Sequence, residues 1–274
     1  MTPMSFAPYI RRWKLIADGD PITTPTARLL PVLWRGEPAM LKLSREREEC
    51  LAGAVMAWWG GQGAARVFAQ DHTALLMERA TGPGSLAAMA RGGEDDAACR
   101  ILCAVAARLH AARPAPAPAL IPLADWFGDL APAAARHGGI LIHCAKTACE
   151  LLEEPRECAV LHGDLHHGNV LDFGARGWLA IDPKQLVGER GFDFANIFIN
   201  PDLADPTRPV ATEPGRFTRR LTVVAEAAGL ERQRLLRWIL AWTGLSAAWF
   251  LAEADPLAAV DLRIAALAAA ELDR

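Results

Sequence analysis

The sequence predicts an α+β fold of two lobes, a small antiparallel sheet with one helix followed by a larger, mainly helical unit. Three observations carry this expectation. Short strands punctuated by turns crowd into the first 79 residues, and helical periodicity dominates from about residue 95. A strand-and-loop region rich in polar residues interrupts the helices between 158 and 183. A chain of 274 residues is long enough for two lobes sharing a cleft, divided into 1–79 and 80–274 with the boundary between Arg79 and Gly84.

Taken in order, Arg28 to Leu33 and Ala39 to Leu43 read as strands joined by the turn-rich Trp34-Arg35-Gly36-Glu37-Pro38, a hairpin. Ser44 to Trp59 reads as a helix, with Ser44 as N-cap, acids at 46, 48 and 49, and Gly60-Gly61 as its stop. Ala65 to Gln70 and Thr73 to Glu78 are two further strands around Asp71-His72, followed by a helix from Asp95 to Ala112. The alternating prolines of Arg113 to Ala119 make a stiff surface connector. Helices are expected at about 122–133, 138–154, 214–228 and 231–253.

Composition excludes several classes. A net charge of −3, with 22% charged residues, leaves no basic footprint for nucleic acid. The six cysteines form neither a CxxC pair nor a zinc spacing, so buried, reduced thiols are expected. Arg11, Arg12 and Lys14 break the N-terminal apolar pattern, which lacks the core of a secretory signal, so the expected location is cytoplasmic. Leu235 to Ala252 is largely apolar, but Arg237 interrupts it and the clean run falls short of a bilayer span, so it reads as a buried core helix rather than a membrane segment.

The chemistry concentrates in Leu161-His-Gly-Asp-Leu-His-His-Gly-Asn-Val170 and in Trp178-Leu-Ala-Ile-Asp-Pro183, where two apolar strands flank polar residues at fixed distances. Phosphoryl transfer accounts for this set. It needs a carboxylate that orients the attacking hydroxyl, a task suited to Asp164, and oxygen ligands for Mg2+, suited to Asn169 as a neutral donor and Asp182 as an anionic one.

These strings, with Gly177-Trp-Leu-Ala-Ile-Asp-Pro-Lys184, Gly188-Glu-Arg-Gly-Phe-Asp-Phe-Ala-Asn-Ile-Phe198 and Leu245-Ser-Ala-Ala-Trp249, resemble the aminoglycoside phosphotransferases. Within them the match is to the streptomycin 6-kinase and hydroxyurea phosphotransferase subfamily, a branch of the protein-kinase-like fold. The resemblance implies that Asp164 is the catalytic carboxylate, that Asn169 and Asp182 hold Mg2+, and that His162 organises the loop backbone. It also places Lys42 on the phosphates of ATP, held by Glu49, with Glu46 and Glu48 as alternatives within one helical turn. The strand ending Leu75-Leu-Met-Glu-Arg-Ala80 resembles the hinge between lobes, so Glu78 and Ala80 are expected to contact adenine through their backbone. No glycine-rich loop precedes Lys42, and Asp18 to Thr26 offers hydroxyls and backbone donors instead.

Asp193 is expected to anchor the catalytic loop, His110 to be a packing residue, and His166 and His167 to support the loop. Trp238, Trp242 and Trp249 are expected in the core or cleft wall rather than in a ligand cage. The acceptor implied by the subfamily is an aminoglycoside, first the 6-hydroxyl of streptomycin; the competing readings are a metabolic kinase of choline or homoserine type and a catalytically silent nucleotide-binding protein. A cationic acceptor needs nearby carboxylates, for which Asp125, Asp129, Asp202, Glu253 and Asp255 are candidates. The enzyme is expected to act as a monomer or weak homodimer.

Overall fold

A computed structural model describes residues 4–44 and 47–274, with backbone alone for 47–51. The chain opens with helix α1 (Ala7–Trp13), which the sequence expectation lacked. The short strands β1 (Ile16–Ala17) and β2 (Ile22–Thr23) and the hairpin β3 (Ala27–Trp34) and β4 (Glu37–Ser44) follow. Arg35 and Gly36 turn that hairpin with φ values of 54° and 86°, the left-handed pair that matches the twist of the flanking strands. Helix α2 (Arg47–Trp59) leads to β5 (Val67–Gln70) and β6 (Ala74–Glu78), and the antiparallel sheet runs β1-β3-β4-β6-β5 with β2 beside β3. The expected strand from Ala65 begins two residues later. The Ala65 N–H is instead spent on the Ala180 carbonyl, at 2.9 Å, in the second lobe. Ser44 closes β4 and donates its hydroxyl to the Thr26 carbonyl.

The sheet has two differently employed faces, and alternation along its strands decides which residue meets which lobe. Ala39, Leu41 and Leu43 of β4, with Leu30, Val32 and Leu76, form a small core closed by Phe6 and Leu15. Met40 of β4 and Leu75 and Met77 of β6 point the other way, into the large core of the second lobe, to which α2 contributes Val55, Met56 and Trp59. Lys42 shares Met40's side of the strand and therefore faces the interlobe cleft.

In the second lobe come α3 (Leu86–Met89), α4 (Asp95–His110), the two-residue β7 (Ile121–Pro122), α5 (Leu123–Trp126), α6 (Leu130–His137) and α7 (Ile140–Glu153). The helix expected over 122–133 is thus two helices, broken where the Phe127 and Gly128 N–H groups tighten onto the Leu123 and Asp125 carbonyls. Next are β8 (Cys158–Leu161), β9 (Val170–Asp172), β10 (Trp178–Ala180), β11 (Leu186–Glu189), α8 (Phe192–Ala195), α9 (Arg216–Ala228), α10 (Arg232–Ala252) and α11 (Ala258–Leu272). The last helix, missing from the sequence expectation, packs its alanine-rich face along α10.

Helix α10 is long and apolar enough to cross a bilayer, yet 72% of its apolar window is buried inside the fold, where Leu235, Trp238, Ile239 and Leu245 fill the large core. A fully buried ion pair stitches α9 to α4, with Arg220 held by Asp95 at 2.7 Å and also donating to the Ile197 and Asn200 carbonyls. The thiol expectation needs correction: Cys99, Cys103 and Cys144 are buried, but Cys149 and Cys158 are exposed. Burial pushes the Cys99 thiol up to about 12, which keeps it protonated.

Candidate active site

The site begins where β8 ends. Asp193, on α8, accepts from the His162 N–H at 2.8 Å and the Gly163 N–H at 2.7 Å, and its carboxylate also meets His110 Nε2 at 2.7 Å. Burial works to raise the Asp193 pKa, but the bonds from His110 and the Gly163 N–H and the nearby His162 outweigh it, so the net shift is downward. Asp193 thus anchors the loop, as expected, while His110 packs edge-on against Phe194. Gly163 sits at φ 81°, and a Cβ there would fall 2.8 Å from Lys184 Cβ, so the turn requires glycine twice over.

His162 is fully buried and joins two loops. Its Nδ1 accepts from the Asp164 N–H at 3.2 Å, which leaves Nε2 as the donor to the Ile181 carbonyl at 2.8 Å. That pairing requires the neutral ring, and burial supplies it by lowering the His162 pKa against the pull of Asp193 and Asp164. A further backbone bond, Ile181 N–H to the Asn169 carbonyl at 2.9 Å, draws the segment after β10 against the loop before β9.

These bonds bring Asp164, Asn169 and Asp182 to one place. Asn169 donates an amide N–H to the Asp164 carbonyl at 2.9 Å, and among the described residues no hydrogen bond is made to its Oδ1. Asp182 has φ 58° and precedes Pro183, a conformation doubly disfavoured for a non-glycine residue, and Lys42 Nζ donates to its Oδ1 at 2.8 Å. Lys42 is 6% exposed and Asp182 33% exposed, so a buried cation holds a carboxylate whose remaining surface faces the cleft. Glu49 lies in α2, but its side chain, like those of Glu46 and Glu48, lies outside the described residues.

On the hinge, Glu78 pairs with Arg176 and accepts from the Arg66 N–H, while its own N–H is bonded to the Arg66 carbonyl. Its side chain is therefore a strut between lobes. Among the described residues nothing hydrogen-bonds the Ala80 N–H.

Asn196 and Lys184, for which no role was expected, also lie against Asp164. Asn196 donates to Asp164 Oδ1 at 2.9 Å while its Oδ1 accepts from Trp242 Nε1 at 3.2 Å. Lys184 Nζ lies 3.7 Å from Asp164 Oδ2, and His166 Nε2 lies 3.7 Å from Oδ1. Burial lowers the His166 pKa more than the nearby Asp164 raises it. Asn196 lies in Gly188–Phe198 and Lys184 follows Asp-Pro directly, so position within those strings was the available signal.

Beside Asp164 opens a cavity of about 470 Å3, of a size that takes a small ligand. Asp164, Lys184, Asn196, Trp126, Trp249 and Glu253 are among its walls. Trp238 belongs to the core and Trp242 and Trp249 to the cavity wall, matching the expectation of core or cleft. Of the five candidate acids, Glu253 alone lines the cavity among the described residues. Asp202 caps the Val210 and Ala211 N–H groups, Asp129 accepts from Trp249, and Asp255 accepts from the Leu257 N–H.

A carboxylate bonded by an amide and flanked by a lysine, beside an aspartate held by a lysine from the other lobe, suits a kinase-like phosphotransferase. Residues 12–254 match the family of aminoglycoside/hydroxyurea antibiotic resistance kinases, and the chain belongs to that family. It is 55% identical to a streptomycin 3''-kinase of Klebsiella pneumoniae over 96% of this chain and all of that one. It is 34% identical to the streptomycin 6-kinase of Streptomyces griseus, over 87% of this chain and 80% of that one. It is also 31% identical to a hydroxyurea phosphotransferase of Kitasatospora aureofaciens, over 87% and 70%.

Among solved structures, an aminoglycoside phosphotransferase in ternary complex with ADP and hygromycin B superposes with a TM-score of 0.68 at 14% identity, covering 96% of this chain and 97% of that one. A choline/ethanolamine kinase family protein from Mesorhizobium loti gives 0.67 at 14% identity, over 93% and 88%. These two similarities concern the fold, which is the two-lobed kinase-like one. The chain is a phosphotransferase acting on a hydroxyl group.

Proposed function

We propose that this enzyme transfers the γ-phosphate of ATP to a hydroxyl of streptomycin in the cytoplasm, with residues 1–79 holding the nucleotide and 80–274 holding the acceptor. The observation that carries the reading is the position of Asp164, whose carboxylate forms one wall of the acceptor-sized cavity while its loop is tied to Asp182 and Lys42. In the reaction the acceptor oxygen bonds to the γ-phosphorus as the bond to the ADP oxygen breaks, and the hydroxyl proton passes to Asp164. Asn196 and Lys184 hold the two oxygens of that carboxylate in one orientation, so the hydroxyl is aimed rather than merely bound.

The donor set fits a magnesium ion, which takes few protein ligands and keeps several waters: Asn169 Oδ1 has no hydrogen-bond partner among the described residues, and Asp182 keeps exposed surface. Bound there, the ion would neutralise phosphate charge. Lys42 would act on the phosphates from the sheet side, with Glu49 as its expected partner, and the Glu78 to Ala80 backbone would meet adenine.

Two acceptor hydroxyls compete. The subfamily strings point to the 6-hydroxyl, whereas 55% identity across the full length of a 3''-kinase favours the 3''-hydroxyl. We take the 3''-hydroxyl as the principal site. The test is Asp164→Ala assayed for ADP release with streptomycin, with the wild-type product mapped by phosphorus-coupled NMR. Turnover is expected to vanish in a folded variant, and phosphate on the 3'' carbon is expected in the wild type. Undiminished turnover in the variant overturns the assignment of Asp164, and phosphate on carbon 6 restores the alternative acceptor.

A further inference from the structure

We propose that Trp126, Trp249 and Glu253 form a receptor for a planar guanidinium group within the acceptor cavity, and that this receptor selects guanidino-bearing sugars over ammonium-bearing ones. The inference rests on the acceptor reading above and adds which residues discriminate and by what chemistry.

The aromatic part is built rather than incidental. Trp126 ends α5 and Trp249 lies in the last turn of α10; their rings meet edge to face, with centroids 5.6 Å apart at 80°, and Trp242 meets Trp249 at 5.7 Å and 76°. Rings at right angles make a corner whose faces carry the negative side of the aromatic quadrupole. Asp129 accepts the Trp249 N–H at 2.9 Å, which fixes that ring before any ligand arrives. Elsewhere in this lobe Trp238, Phe127 and Phe192 pack together in the buried core, whereas Trp126 and Trp249 keep part of their surface on the cavity.

Glu253 supplies the charge. It caps the C-terminus of α10, where the helix dipole disfavours a carboxylate, and among the described residues it has no ion-pair partner. Ala254 follows at φ 54°, an unusual conformation for alanine, and Glu253 lines the cavity. The other charges on the cavity, Asp164 and Lys184, neighbour each other at 3.7 Å, so among the described residues the charge of Glu253 is the one on the cavity without an ion-pair partner. A guanidinium satisfies both halves of this site at once, since it stacks on indole and offers parallel N–H donors to a carboxylate. A compact, strongly hydrated ammonium does neither as well.

The experiment is calorimetric binding to the full chain without nucleotide. It compares streptomycin with an analogue whose guanidino groups are replaced by amino groups, in the wild type, Trp249→Leu, Trp249→Phe and Glu253→Gln. The wild type should prefer the guanidino ligand. Trp249→Leu and Glu253→Gln should each weaken it about tenfold and reduce the preference toward one, while Trp249→Phe keeps most of it.

If both Glu253→Gln and Trp249→Phe are folded and wild-type turnover on streptomycin is present, an unchanged preference in Glu253→Gln overturns the receptor and leaves the proposed function intact. A wild type that neither binds nor phosphorylates streptomycin overturns both.

Discussion

Lys42 Nζ donates to Asp182 Oδ1 at 2.8 Å across 140 residues of sequence, so a strand of the sheet and the loop after β10 meet through an ion pair whose cation is buried and whose carboxylate is partly exposed. Lys42→Met should remove the cation from the nucleotide side and lower phosphate transfer by about a hundredfold or more. Calorimetry with ATP should show weaker binding than in the wild type. Wild-type turnover in a folded Lys42→Met would remove Lys42 from the site.

Asn196 links the cavity wall to the proposed catalytic carboxylate, with Trp242 on one side and Asp164 on the other. Asn196→Ala should leave Asp164 present but less well aimed. A fall in kcat of roughly tenfold to a hundredfold is expected, with the KM for ATP unchanged. Steady-state kinetics varying each substrate separates this from a nucleotide-binding defect.

Acidification should loosen the catalytic loop. Burial lowers the pKa values of His162, His166 and His167, so below the ordinary histidine range the unfolded chain binds more protons than the folded one, and stability falls as pH drops. Asp193, held below the usual carboxylate range by His110 and its other donors despite its burial, adds a second loss at lower pH, present above about pH 4 and lost below it. Thermal melts from pH 7 to pH 3.5 should show a falling Tm. In Asp193→Ala the unpaired His162 and Gly163 N–H groups should cost about 1–3 kcal/mol each at pH 7.

Asp261 has the opposite slope. Neither of its carboxylate oxygens has a hydrogen-bond partner of good geometry among the described residues, and burial raises its pKa to about 8, only partly offset by Ser246. The folded state therefore holds a proton that the unfolded state releases above about pH 4, so this residue's contribution falls as pH rises from about 4 to 8. Asp261→Asn should match the wild type near pH 4 and gain on it up to about pH 8, by about 1–3 kcal/mol there. Paired melts across that range read the difference directly, and a constant difference would refute it.

The elements whose pattern is local were legible in the chain itself. The hairpin around Arg35-Gly36, the acid-led helix closing on Gly60-Gly61 and the buried helix ending near Ala252 each announce themselves by alternation, turn chemistry or apolar length. Helix α11 and the break at Phe127-Gly128 were not legible. An alanine-rich segment has no strong face, and a break between two short helices depends on which carbonyls the neighbouring N–H groups find.

For the candidate site, the spacing within 161–182 places Asn169 before one strand and Asp182 after its antiparallel partner, so both come to the same end of the β9–β10 pair. Only the tertiary structure decided what surrounds them. Lys42 reaches Asp182 because the pleat of β4 turns it to Met40's side, Asn196 reaches Asp164 because α8 delivers it there, and Trp126 meets Trp249 across helices far apart in sequence. Such contacts depend on how elements pack in three dimensions, and no period or spacing along a single strand of sequence encodes the distance between two side chains brought together by the core.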